Sequence, residues 1–192
     1  MPAPVPKGEA DGAAQFSLSS FRDGWKLPAH QAHLIVTAVA APGETPLDAL
    51  SRFTTVLAAV TAASPAVGVY WGNAGATHDA EFFLSIARDP GIVPRIMLWN
   101  GLSVARERDG RLSLLSLGMS QLALHDLLVV SGPDSQAEAV ETMFDLLAYV
   151  ARRGEAIPEG ETIGRTDEER LPVRYVTSPL DSKAKVWRVE LP

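Results

Sequence analysis

The chain has 192 residues, of which 46% are hydrophobic and 21% charged, which is typical of a globular protein with a substantial core. It contains no cysteine, so disulfides, cysteine zinc sites, iron–sulfur clusters and thiol catalysis are excluded. Its net charge is −6 and its basic residues are scattered, which argues against nucleic-acid binding, because that function needs a basic stripe.

The ends and hydropathy of the chain predict a cytoplasmic protein without membrane contact. No segment reaches the roughly 20 apolar residues that span a bilayer. The N-terminus has no basic region followed by an apolar stretch, so it does not resemble a secretory signal. Prolines near the start predict an extended N-terminal arm over residues 1–20, followed by a single domain over residues 21–192.

Strands and helices alternate in the first part of the chain. The run His33–Ala40 is apolar on both faces, which predicts a central strand covered on both sides. Thr45 is suited to cap a helix and Pro46 to its first position, so a helix is expected to run to about Ser64. A second apolar strand is predicted over residues 66–71.

The middle of the chain predicts a further helix and a hairpin. Thr77 can cap a helix that ends near Arg88. An apolar strand is expected over residues 95–104. Asp109 and Gly110 then form a hairpin turn signal, because both tolerate the positive φ that such turns require.

The last part of the chain holds the strongest predicted helix. After a strand at residues 126–130, Ser135 and Glu138 are spaced as a capping box, and Gly154 suits the position just past the helix end. The segment Lys185–Leu191 alternates, which predicts a strand near a sheet edge. The expected fold is α+β, with a mixed sheet of about six to eight strands and three main helices packed on it.

Residues 71–81 are the candidate ligand site. The turn from Gly72 to Gly75 separates a strand from a helix, where backbone N–H groups can hold a phosphate, but its spacing fits no dinucleotide or P-loop motif. A plain turn of small residues explains it. The alternative is a pocket in which Asn73 and His78 supply the polar groups and Trp71 or Trp99 forms a stacking wall. Glu81, at the end of this region, is a further candidate contact.

The titratable residues predict no metal and no cofactor. No histidine has an i, i+4 histidine partner, and acidic residues beside His78 are explained as complements of a helix dipole. No catalytic nucleophile motif is present. The charged hairpin tip with Arg106 and Arg108 is expected to be a solvated loop, or a surface that steers a charged protein partner.

Several segments resemble a bacterial family catalogued as domain of unknown function 4261, and the resemblance extends from about His33 onward. The segments that carry the resemblance are residues 66–75, 112–119, 127–130, 144–149 and 160–163. The family has no assigned activity that transfers to this chain. The later segments also resemble, more loosely, the suppressor-of-fused-like domain, which implies protein binding and, for bacterial members, immunity against toxins.

These observations predict a non-enzymatic protein-binding domain, in its specific form an immunity-like protein that captures a basic toxin. Two alternatives stay open. One is an enzyme or small-ligand protein with a pocket near residues 71–81. The other is a structural component of a larger assembly, associating through the strand Lys185–Leu191. The partner and the oligomeric state are not specified by the sequence.

Overall fold

The computed structural model describes residues 8–166 and 168–192, without the side chain of Arg22. The chain divides into two compact units, Met1–Gly101 and Leu102–Pro192. The prediction of one domain over residues 21–192 stays a prediction beside this division. None of the described helices has the length and apolar character that crossing a bilayer needs.

Short helices open the first unit. Helix α1 is Glu9–Ala13, a 3-10 turn follows, and α2 is Leu18–Asp23. The side chain of Ser17 caps α2 by accepting the Ser20 N–H at 3.0 Å. This differs from the extended arm predicted for residues 1–20. The prolines behind that prediction lie in residues 1–7, outside the described residues, and the alanines that follow them are helix formers with buried side chains.

Helix α3, Pro46–Ala62, begins where the sequence predicted. The Thr45 hydroxyl accepts the Asp48 N–H at 3.2 Å and donates to the Asp48 carboxylate at 2.7 Å. Pro46 lies in the first turn, where its missing N–H costs nothing. The local start signal alone therefore located this helix correctly.

The segment His33–Ala40 forms no strand beyond an isolated bridge at His33. The prediction of a central strand covered on both faces is wrong for this structure. Leu34, Ile35 and Val39 are instead exposed. The apolar pattern indicates that the segment is able to form a strand. A strand forms only beside another strand, and the local sequence does not show whether one is adjacent.

Two short strands and a helix follow α3. Strand β1, Gly68–Trp71, pairs antiparallel with β2, Ala76–Asp79, and α4 is Ala80–Ala87. The predicted helix start at Thr77 and His78 is therefore too early, because both residues are paired in β2. Asp79 caps α4 instead.

Helix α5, Ile92–Trp99, replaces the first part of the strand predicted over residues 95–104. A short apolar run does not distinguish a buried helix from a strand. Pro94 is tolerated because it lies in the first turn of the helix. Ile96 and Trp99, three residues apart, are both fully buried, so the spacing is helical. Only the end of the prediction, from Gly101 onward, is correct.

The second unit is built on a five-stranded sheet with order β3-β4-β5-β9-β8. The strands of the unit, in chain order, are β3 Gly101–Arg106, β4 Leu112–Leu117, β5 Leu127–Ser131, β6 Thr162–Ile163, β7 Leu171–Pro172, β8 Arg174–Thr177 and β9 Lys185–Glu190. Strands β6 and β7 form a separate antiparallel pair. Gly110, at the predicted hairpin turn between β3 and β4, has φ of +89°.

The main sheet is mixed, because β5 pairs parallel with β9 while β4–β5 and β8–β9 are antiparallel. The predicted α+β fold with a mixed sheet is thus confirmed, although the largest sheet of the described chain has five strands. Strand β9 lies between β5 and the edge strand β8, so the strand predicted near a sheet edge is found one position in from it. The assembly alternative needs Lys185–Leu191 to be the exposed edge strand itself, and that is wrong. Val186, Trp187 and Val189 are buried, which places apolar residues on both faces of β9.

Helix α6, Gln136–Arg153, packs against β4 and β5. It ends as predicted, with Gly154 in the left-handed region at φ +71°. The predicted capping box is wrong, because Ser135 makes no side-chain cap bond. Glu138 forms an ion pair with Arg165 at 3.3 Å instead.

Candidate functional site

The turn between β1 and β2 places the predicted polar residues in different environments. Asn73 is exposed in a 3-10 turn, Gly72–Ala74, and Glu81 is exposed in the first turn of α4. His78, in β2, has no exposed surface. Two of the three groups thus face solvent and the third lies in the core.

His78 is a buried, neutral histidine. Its Nε2 lies 3.0 Å from the Leu98 carbonyl oxygen, and because a carbonyl only accepts, Nε2 carries the proton. Burial lowers its pKa to about 4, against the opposing effect of the Leu98 bond. The ring also stacks on Phe82, with centroids 6.1 Å apart. Nδ1 has no hydrogen-bond partner among the described residues. The imidazole therefore satisfies a carbonyl at the end of α5 and has no route to a solvent-borne substrate.

The two tryptophans of the predicted stacking wall are part of the core of the first unit. Trp71 packs edge-on against Phe53, with ring centroids 5.4 Å apart, and is 4% exposed. Trp99 is fully buried, and its Nε1–H donates to the Thr54 hydroxyl of α3 at 2.8 Å. In this conformation neither ring presents a surface to a ligand or partner. Their predicted contact role stays a prediction.

The hairpin tip between β3 and β4 is charged and exposed. Arg106 donates to the Gly110 carbonyl at 3.0 Å, and Arg108 is exposed. Arg111 forms ion pairs at 2.8 Å with both Asp109 and Glu190. The carboxylates of Asp109 and Glu190 therefore pair with Arg111, while Arg106 and Arg108 are exposed.

A second charged feature is an open cleft of about 370 Å³ in the second unit. Its lining is Tyr149, Arg153, Ile157, Glu161, Thr162, Ile163, Gly164, Arg165, Thr166 and Arg170. The Arg165 guanidinium lies 3.0 Å from Glu169 and 3.3 Å from Glu138. These contacts raise the pKa of Arg165 and lower that of Glu169. The cation is already neutralised by carboxylates, which leaves little attraction for an anion.

Ser116, Asp126 and His125 are close in sequence or space but do not form a catalytic triad. One oxygen of Asp126 accepts from the Ser116 hydroxyl and from the N–H groups of Gly118 and Met119, at 3.2, 2.9 and 3.0 Å. The pKa of Asp126 is raised by burial, against these hydrogen bonds. Ser116 is fully buried, and the His125 ring packs edge-on against Tyr175 instead. The group holds the bend after β4.

Within residues 8–166 and 168–192 there is no cluster of three or more histidine, aspartate or glutamate residues that could hold a metal ion.

The surface that sequence reasoning missed is the segment Leu34–Val39, which we call the apolar segment. The exposed fractions of Leu34, Ile35 and Val39 are 58%, 78% and 87%. The sequence pattern predicted a buried strand here. It therefore identified these residues as apolar and strand-forming but did not predict that they are exposed. The one signal in the sequence is the lack of charge: only uncharged residues and two histidines occur between Lys26 and Glu44.

The apolar segment is fixed at its C-terminal end by an ion pair. Arg52 of α3 lies 2.8 Å from the Glu44 carboxylate and donates to the Val39 carbonyl at 3.1 Å. The Ala41 N–H donates to Glu44 at 2.8 Å. The bond from Arg52, followed by that from Ala41, lowers the pKa of Glu44 to about 2. The segment is thus tethered to the start of α3 while its side chains face solvent.

More exposed apolar side chains occur in the same unit, at and near β1. Val67 precedes β1 and is 37% exposed, Tyr70 in β1 is 39% exposed, and Val56 on α3 is 47% exposed. Strand β1 is bordered by β2 on one side only among the described strands. The first unit therefore exposes a strand-forming segment and further apolar side chains at and near β1.

Comparison with known proteins finds a family match within the second unit. Residues 115–190 match the family described as Domain of unknown function (DUF4261). The match confirms the family resemblance predicted from the sequence, although it covers less than half of the chain and begins well after His33. The looser resemblance to the suppressor-of-fused-like domain stays a hypothesis. No curated protein and no solved structure matches the chain significantly.

Proposed function

We propose that this chain is a non-enzymatic protein-binding domain that contacts its partner through the apolar segment, residues 34–39. The observation that carries the proposal is the exposure of Leu34, Ile35 and Val39 in one uncharged stretch. Contiguous exposed apolar surface on a soluble domain is a mark of an interaction site. Single exposed apolar residues are ordinary, but three within six residues are not.

The chemistry of the segment suits pairing with a strand. Its residues Leu-Ile-Val-Thr-Ala-Val are rich in β-branched side chains, which favour the extended conformation. A partner that added this segment to a sheet would satisfy its backbone and cover its side chains. Burying one such aliphatic side chain contributes roughly 1.5–3 kcal/mol, so three of them offset a substantial part of the cost of association.

The placement of the candidate polar contact residues supports binding over chemistry. A reacting site needs its polar groups to converge on one accessible atom. Here His78 is buried while Asn73 and Glu81 are exposed. The assembly alternative that used Lys185–Leu191 loses its edge strand, because β9 is interior in the sheet.

Neutralisation of a basic toxin is the specific form of this function. The net charge of −6 would speed the approach of a basic partner. Such a complex weakens as salt screens the charges, whereas a contact made by the apolar segment does not. The salt dependence of binding therefore separates the two contributions.

The test is capture from a host lysate by the tagged chain and by two variants. Ile35→Asp places a charge in the apolar segment, and Leu180→Asp places one at a similarly exposed position of the second unit, 58% exposed in the wild type. We expect proteins retained by the wild type to be lost with Ile35→Asp and kept with Leu180→Asp. Equal capture by both variants would show that the apolar segment is not the binding surface.

A further inference from the structure

The cleft of the second unit has the side chains of a site for a small organic anion. Its volume of about 370 Å³ lies within the range of pockets that bind small molecules. Three arginines and one glutamate line it, although the whole chain has 23 acidic and 17 basic residues. We propose that Arg153 and Arg170 bind the oxyanion group of such a ligand, a phosphate or a carboxylate, and that Tyr149 packs against its planar part.

The three arginines of the cleft differ in how far they are already neutralised. Arg165 is paired with two carboxylates, at 3.0 and 3.3 Å. Arg153 lies 4.0 Å from the carboxylate of Glu155, which is 77% exposed, and exposed pairs of this kind are weak. Arg170 donates to the Glu169 carbonyl oxygen at 3.1 Å and forms no ion pair with a residue that the structure describes. Arg153 and Arg170 are therefore the two cations that can attract an anion.

The two guanidinium groups come from different elements. Arg153 is the last residue of α6, and Arg170 directly precedes β7. Each guanidinium presents several N–H donors in a planar fork, which matches the oxygens of a phosphate or a carboxylate. An anion that accepts from both arginines would connect the end of α6 with the β6–β7 pair.

Hydrogen bonds fix one wall of the cleft before any ligand binds. The Tyr175 hydroxyl donates to the Ile157 carbonyl oxygen at 2.9 Å. The Val173 N–H donates to the Glu161 carbonyl oxygen at 2.8 Å, and the Gly160 N–H donates to the Val173 carbonyl oxygen at 2.9 Å. A wall that is already ordered reduces the entropy that a ligand loses by ordering the protein.

Tyr149 and Glu161 determine which anions suit the cleft. Tyr149 lies one turn before Arg153 on α6 and is 48% exposed, so its ring offers a surface for a planar group attached to the oxyanion. Glu161 also lines the cleft, and its negative charge opposes any anion. A planar organic anion should therefore bind more tightly than inorganic phosphate, and Glu161 should limit the affinity of both.

The experiment is an NMR titration of the full chain with phenyl phosphate, benzoate and inorganic phosphate. We expect phenyl phosphate or benzoate to bind with a Kd below about 10 mM and more tightly than inorganic phosphate, and the tighter of the two identifies the oxyanion. Arg153→Gln and Arg170→Gln should each weaken binding by about tenfold, because each removes charged hydrogen bonds.

Matched controls separate the site from general charge. Arg152 also lies at the end of α6 and Arg174 follows Arg170 by four residues, but neither lines the cleft. Arg152→Gln and Arg174→Gln should therefore keep the affinity of the wild type. Circular dichroism checks that each variant is folded.

Two further variants test the roles of the other lining residues. Glu161→Gln should strengthen the binding of every probe several-fold, because a like charge is removed. Tyr149→Leu should weaken the aromatic probes and leave inorganic phosphate unchanged. Equal affinities for Arg152→Gln and Arg153→Gln, or no binding of any probe at 10 mM, would overturn the inference. These outcomes leave the proposed function untouched, because its test uses Ile35→Asp and lysate proteins.

Discussion

His78 links the protonation of one residue to the stability of the first unit. Its pKa in the folded chain is about 4, below its ordinary value of 6.5, because burial disfavours the charged form. Between these values the unfolded chain binds more protons than the folded chain. The stability that the neutral ring provides is therefore complete above pH 6.5 and is lost as the pH falls towards 4, by about 3 kcal/mol.

We predict that His78→Gln flattens this dependence, because its side-chain amide can still donate to the Leu98 carbonyl but does not titrate. Urea denaturation from pH 4 to pH 7 measures the slope. His125→Gln, which removes an exposed histidine, is the control and should keep it. Equal slopes for wild type and His78→Gln would contradict the buried neutral state.

Asp126 contributes to the fold as a hydrogen-bond acceptor rather than through its negative charge. One of its oxygens accepts from Ser116, Gly118 and Met119, yet burial raises its pKa, so the negative charge is costly at this position. We predict that Asp126→Ala destabilises the fold by about 2–4 kcal/mol, because buried donors lose their acceptor. Asp126→Asn, which keeps an acceptor without the charge, should stay within about 1 kcal/mol of wild type. Chemical denaturation tests this, and equal losses for both would show that the charge itself is needed.

At the scale of elements, two helix ends have a residue with positive φ, and the two residues differ in how well they tolerate that conformation. Gly154 ends α6 in the left-handed region, and a Cβ there would meet nothing within 4 Å, so only backbone strain opposes a side chain. Ala123 adopts φ of +58° after the 3-10 turn Met119–Leu122.

We predict that Gly154→Ala lowers stability by about 1 kcal/mol, because an alanine in the left-handed region is strained. Ala123→Gly should raise it by up to about 1 kcal/mol, reduced by the greater entropy of the unfolded chain. The urea midpoint at constant slope measures both changes. Changes of the same sign would contradict this account of the two ends.

Elements with strong local signals could be predicted from the sequence. Thr45 with Pro46 located the start of α3, and Gly110 and Gly154 located a turn and a helix end. Each of these signals acts within a few residues, through a cap or through positive φ. The other elements depend on tertiary packing. At α5, for example, an apolar run is compatible with both a helix and a strand, and the local sequence does not distinguish them.

The apolar segment could not be predicted as a binding surface, because that role depends on the exposure of its side chains in the folded chain. The apolar pattern at residues 33–40 correctly marked strand-forming residues but was interpreted as core. Likewise Lys185–Leu191 alternates like an edge strand, yet its parallel pairing with β5 places it inside the sheet. Which partners a strand acquires depends on distant chain segments, and a single sequence does not reveal them.

At the scale of the whole molecule, a chain of net charge −6 carries an uncharged apolar segment. A partner can bury this segment without removing a charged group from water, which would be costly. The proposed function therefore depends on one physical statement: residues 34–39 are exposed in the free chain and become a strand only in a complex.

Hydrogen–deuterium exchange of the backbone amides of residues 34–39, measured on the free chain and on the chain with its captured partner bound, tests that statement most directly. In the free chain, we predict exchange close to that of an unstructured peptide. In the complex these amides should slow by ~10-fold or more, because they enter ladder hydrogen bonds. Strong protection already present in the free chain, or equally fast exchange in the complex, would contradict the proposed function.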